Sequence, residues 1–173
     1  MILVLDASPL ITLARIGSLG LLHQLADQIV IPDAVYVESV SQARGRPGSI
    51  EIAQADWIIR RQVENQARVM RLRTRVGLGE AEAIVLAQQI HAHAVVLDDA
   101  TARQVAEQEG CPVVGLLGLL VDGKRRGLLS TVKPLLDAMR EAGIFIVLPF
   151  MVTALIRHPW KTKFRGKLTS AAC

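Results

Sequence analysis

The chain has 173 residues, 51% of them hydrophobic and 21% charged, with a net charge of +4. That length carries one domain with a real core, and the composition excludes a disordered chain. Its two cysteines, Cys111 and Cys173, have no paired spacing, which excludes a disulfide framework and favours a reducing, cytoplasmic setting.

Residues 2–6 (ILVLD) form a continuous apolar run, the signature of a strand buried on both faces, ending in Asp6. The run is too short for a signal peptide, and no basic segment precedes it. Ser8 and Pro9 then suit a helix cap and a first helical position. A second helix fits residues 19–26. A strand over 29–31 is closed by Pro32. Asp33 suits the cap of a helix that carries Val35, Val37, Val40 and Glu38.

QARGRPG (42–48) is a loop, a short helix fits 50–55, and a strand fits 57–60. Residues 64–76 are amphipathic, with Val69, Leu72 and Val76 on one face and Arg68, Arg71 and Arg75 on another. Gly77 and Gly79 break this pattern, and a new helix runs from about Gly79 to His91. Residues 94–97 form another buried strand, ending in Asp98-Asp99. A helix over 101–109, a strand over 112–114, a helix from Leu116 into the basic turn GKRRG, and a helix from Ser130 or Thr131 to Ala142 follow.

The run 144–156 is too short for a membrane span, which takes ~20 residues. It reads as a strand over 144–148 and then a helix. The expected domain is 1–156, and 157–173 is a basic tail that has lost apolar periodicity. Strands alternating with helices argue for an α/β fold, a three-layer α/β/α sandwich with a mainly parallel central sheet.

In such sheets, ligands bind at the carboxyl ends of strands, near a switch in strand order. Asp6 and Asp98-Asp99 stand at such ends, Glu80 in the first turn of a helix, and Glu38 on another helix. Gathered in one cleft, these carboxylates repel one another, and a divalent cation relieves that repulsion. Oxygen donors suit Mg²⁺ or Mn²⁺, and two such ions ~4 Å apart serve displacement at phosphorus.

Each acid also has a plainer reading. Asp6 is then a strand-end cap, Glu38 an exposed helix residue, and Glu80 a partner of its helix dipole. Either Asp98 or Asp99 caps the next helix, and Ser8 caps the first while its hydroxyl is also placed to hold a water. Glu82 is two residues from Glu80, ~200° around the helix, and is expected to be solvated. Arg103 lies one turn past Asp99, where it can buttress the acids, touch a phosphate or form a surface pair. Arg68, Arg71, Arg73 and Arg75, with 124–126 and the tail, form either a phosphate-steering surface or a solvated face. Aromatics are 3% of the chain, so a stacking platform for bases is not expected. His91 and His93 lack the neighbours of a zinc site.

The ordered set DAS, VYVES, GLGEAEAIVLA and VVLDDATAR resembles the PIN-domain family, the fold of VapC-type toxin ribonucleases, over roughly residues 1–148. The GEAEAI and DDATAR motifs mark the subgroup it resembles. The resemblance implies a parallel sheet, an acidic Mg²⁺ or Mn²⁺ site, single-stranded RNA as substrate and, often, a homodimer. It makes Asp6, Glu38 and Glu80 the first three acids and Ser8 the nearby hydroxyl. The fourth acid falls on Asp98 or Asp99; the family's Thr-x-Asp spacing puts it on Asp99, with Leu97 where threonine is usual. The function this implies is a metal-dependent endoribonuclease, the toxin half of a toxin–antitoxin pair. The alternative is a non-catalytic nucleic-acid-binding module on the same fold.

Overall fold

The structure, a computed structural model, describes residues 1–144. Residues 145–148 of the expected last strand, the apolar run to 156 and the tail 157–173 lie outside them. The elements in order are β1 (Ile2–Leu5), α1 (Ala7–Arg15), α2 (Leu21–Leu25), β2 (Gln28–Pro32) and α3 (Asp33–Tyr36), which a π turn (Val37–Ser41) extends. Then come α4 (Ser49–Gln54), β3 (Ile58–Arg61), α5 (Gln66–Leu72), α6 (Leu78–Gln89) and β4 (Ala94–Val96). The series ends with α7 (Ala100–Gln108), β5 (Val113–Val114), α8 (Leu116–Arg125) and α9 (Lys133–Glu141).

The five strands form one all-parallel sheet in the order β3-β2-β1-β4-β5. Strand side chains alternate between two cores. Leu3, Leu5, Ile29 and Ile31 pack with Leu10 and Leu13 of α1, Leu22 and Leu25 of α2, and Leu119 and Leu120 of α8. Val4, Val30 and Val95 point the other way, onto Val69 and Leu72 of α5, Ile84 and Leu86 of α6, and Val105 of α7. Helices on both faces explain why the strands read as unbroken apolar runs. Burying each such leucine contributes about 2 kcal/mol. Cys111 belongs to the second core, where burial pushes its thiol up to about 11, as suits a packing residue.

The chain leaves β1 toward β2 and β3, then returns to lay β4 against the opposite edge of β1. The switch in strand order therefore falls between β1 and β4, at the ends that carry Asp6 and Asp98-Asp99. The pairing runs one residue past β1, where the Asp6 N–H donates to the Val96 carbonyl at 3.2 Å.

No helix among the described residues is long and apolar enough to cross a membrane.

Candidate functional site

Asp6, not Ser8, caps α1. Its backbone is extended, and Oδ2 accepts from the Ser8 N–H at 3.4 Å. Ser8 is left exposed on the first turn. Asp6 itself is buried, and its carboxyl is pushed up from 3.8 to about 6. Desolvation is the main cause. The N–H groups of Ala7 and Ser8 work against it, and the charges of Glu80 and Glu38 add to it. The structure thus brings Glu80 and Glu38 each within electrostatic reach of Asp6.

Glu38 stands on the π turn, where the Gln42 N–H reaches back to the Val37 carbonyl at 2.8 Å. The buried Ser39 hydroxyl donates to the Val35 carbonyl at 2.6 Å and steadies that turn. Glu38 is exposed, with its carboxylate aimed at the start of α6. There Gly79 occupies the second helical position. A Cβ built on Gly79 would stand 3.1 Å from Asp6 Oδ1, 3.2 Å from Glu38 Oε2 and 3.4 Å from Val35 Cγ2. The two carboxylates therefore converge on a point that only a residue without a side chain leaves open.

Glu80 is half-buried, and its Oε2 accepts from the Gly77 N–H at 2.9 Å. This is the glutamate half of a capping box; Gly77 has no side chain to complete it. As the side chains stand, no three His, Cys, Asp or Glu residues among the described ones are gathered tightly enough to hold one ion. At this site Glu80 is turned onto its own helix start.

Glu82 corrects an expectation. It is buried, and its Oε2 accepts from the Ala34 N–H at 2.9 Å, pinning the start of α3. The ~200° argument assumed one buried face. In fact α6 is buried all round, from Ala81 to Ala87. The sequence signal was there, since Glu82 is the one polar residue in AEAIVLA. Asp33, the expected cap of α3, instead bonds Arg60 Nε at 2.6 Å. Arg60 also lies over the Tyr36 ring, 4.5 Å from its centre, which covers the chain's one tyrosine.

On the other side of the switch, both aspartates cap helices. Asp99 Oδ1 accepts from the Ala102 N–H at 2.8 Å and caps α7. Asp98 Oδ1 accepts from the Leu116 N–H at 2.8 Å, at the start of α8. Burial pushes the Asp98 carboxyl up, against the pull of the Leu116 N–H and of Arg103. Arg103 Nη1 donates to the Asp98 carbonyl at 2.9 Å, so it buttresses the end of β4.

The arginines of α5 are engaged too. Arg68 and Arg71 both grip Glu109, at 2.7 and 2.9 Å, and Arg75 bonds Gln108 at 2.6 Å. They tie α5 and the turn after it to the end of α7, while Arg71, Arg73 and Arg75 remain exposed, as a solvated face would have them. His93 Nδ1 accepts from the Ile2 N–H at 2.9 Å, a backbone role.

The donor set at the Asp6–Glu38 cradle is all carboxylate oxygen, which fits a hard divalent cation. So does the strained ionisation of Asp6, which such a charge relieves.

A family model described as a PIN domain matches residues 2–158. No curated protein and no solved structure matches the chain.

Proposed function

The chain belongs to the PIN-domain family, a nuclease fold, and from that premise we propose that it is a metal-dependent endoribonuclease acting on single-stranded RNA. The observation that carries this reading is the convergence of Asp6 and Glu38 on Gly79 at the switch between β1 and β4. Strand-end carboxylates at a switch point are placed to meet a ligand lying across the rim.

When bound, Mg²⁺ or Mn²⁺ supplies Lewis acidity toward a phosphodiester and makes a water nucleophilic at neutral pH. Asp6, Glu38 and Glu80 would hold such an ion, Glu80 only once released from the Gly77 N–H it accepts. Asp6 is the fixed member, since its backbone is tied to β4 and its carboxylate to α1. Glu38 is exposed and adapts. Asp99 is the fourth acid on the family pattern, with Oδ1 committed to Ala102 and Oδ2 left for the site. The Ser8 hydroxyl, exposed beside Asp6, orients a water. Arg103, on the first turns of α7 beside the end of β4, contacts a phosphate of the substrate. With aromatics only 3% of the chain, binding in this reading rests on the phosphates.

The toxin role, a cognate antitoxin, a homodimer and a cytoplasmic setting draw their support from the family likeness and the cysteine usage. The alternative, a non-catalytic binding module, draws on the capping duties of Asp98, Asp99 and Glu80. Cleavage of a mixed single-stranded RNA pool with Mn²⁺, with and without a chelator, separates the two. Chelator-sensitive cleavage is expected. Intact RNA under every condition, with RNA still bound, would leave the binding module standing.

A further inference from the structure

Resting on that reading of the Asp6–Glu38 cradle, we infer that Gly79 is a positioning residue whose missing side chain keeps the cation seat open. A glycine at the second position of a twelve-residue helix is a local cost, because glycine is a poor helix former. No left-handed backbone requires it here, since Gly79 is not among the glycines with positive φ. Nor is it there to admit a passing backbone, because the three atoms nearest its added Cβ all belong to side chains. Two of the three are carboxylate oxygens from different elements, Asp6 Oδ1 on the end of β1 and Glu38 Oε2 on the π turn.

A methyl at that point would press on both oxygens, and one of them would have to give by a few tenths of an ångström. Asp6 is held by its N–H on Val96 and its carboxylate on Ser8, so it cannot yield easily. Glu38 is exposed and can swing outward. The methyl would therefore spread the pair while meeting the core residue Val35 only at ordinary contact distance. It would also fill space beside Asp6 Oδ1 that a bound ion or its water would need. The same substitution favours the helix.

The two effects have opposite signs, and that separates this role from a packing role. The test is titration calorimetry of the full chain with Mn²⁺ alone, together with thermal unfolding in chelator. The variants are Gly79→Ala and, as a control glycine with open space around it, Gly20→Ala. Gly79→Ala is expected to weaken Mn²⁺ binding at least tenfold while melting at or slightly above the parent in chelator. Gly20→Ala is expected to bind as the parent does.

Parental Mn²⁺ affinity in Gly79→Ala would overturn the inference and leave the proposed metal site standing. Melting of Gly79→Ala well below the parent would also overturn it, by making Gly79 a packing residue. A parent chain that binds no Mn²⁺ would bring down the metal site and the inference with it.

Discussion

The two sides of the β1/β4 switch carry the same residue type and use it differently. On the β1 side, the Asp6 and Glu38 carboxylates face one another across Gly79, and Asp6 ionises only against resistance. On the β4 side, Asp98 and Asp99 are each spent on a helix start, at Leu116 and Ala102. Burial is the main cause that pushes both Asp6 and Asp98 up, and both accept backbone N–H groups. What separates the sides is the added charge each meets: Glu80 and Glu38 beside Asp6, Arg103 beside Asp98. A buried carboxylate among like charges is a candidate seat for a cation.

The sharpest way to break this contrast is to neutralise the first side. Asp6→Asn is expected to lower Mn²⁺-dependent RNA cleavage about a thousandfold, or ~4 kcal/mol of transition-state stabilisation. Cleavage at the parental rate in that variant would move the site elsewhere on the molecule.

The same substitution carries the next largest effect, on stability. Burial pushes the Asp6 carboxyl from its ordinary 3.8 up to about 6 in the folded protein. The unfolded chain therefore gives up this proton first as pH rises. Stability falls between pH ~4 and ~6 and stays lower above that, by about 3 kcal/mol in all. In chelator, Asp6→Asn should thus be the more stable protein at pH 7, since asparagine also caps, and the gap should close toward pH 4. Denaturant unfolding of both proteins at the two pH values measures that difference. A gap that widened toward pH 4 would reverse the sign assigned to Asp6.

Glu82 sharpens the comparison from inside α6. Glu82→Ala leaves the Ala34 N–H without its partner and should cost about 2 kcal/mol in denaturant unfolding. Glu82→Gln keeps an acceptor and should cost less than about 1 kcal/mol. Equal losses would mean that charge, not the hydrogen bond, holds α3. The smallest effect belongs to the second side. Asp99→Ala removes the cap of α7 and should cost about 1 kcal/mol. Parental cleavage in this variant would remove Asp99 from the proposed acids and leave it a helix cap alone.

The sheet and its helices were legible in the chain because parallel strands covered on both faces must be apolar throughout. ILVL and AVV admit little else, and Gly110 and Pro32 mark ends that fall within a residue or two of those found. The sequence also offered Asp6 at a strand end, Glu38 on a helix and Glu80 in a first helical turn, and the charges of the last two do reach Asp6. The hydrogen-bond partners were not legible. Ser8 is the better cap by residue type, yet Asp6 is placed one step nearer the strand end and takes the role. Glu82 meets Ala34 across 48 residues, and Asp98 meets Leu116 across 18. Local propensity holds no information about partners at that separation. Gly79 reads as a breaker beside Gly77; its use depends on two side chains that only the folded sheet brings to it.

The returning strand has a consequence for the order of synthesis. A nascent chain that ends before residue 90 already contains Asp6, Glu38 and Glu80, but β1 has no neighbour on its β4 edge and the Asp6 amide has no Val96 to hold it. Distant pairings of this kind close late, because the intervening chain must first be brought together. An unfinished polypeptide emerging from a ribosome should therefore not yet present the assembled rim. The two sides of the switch meet only when the second half of the sheet is translated.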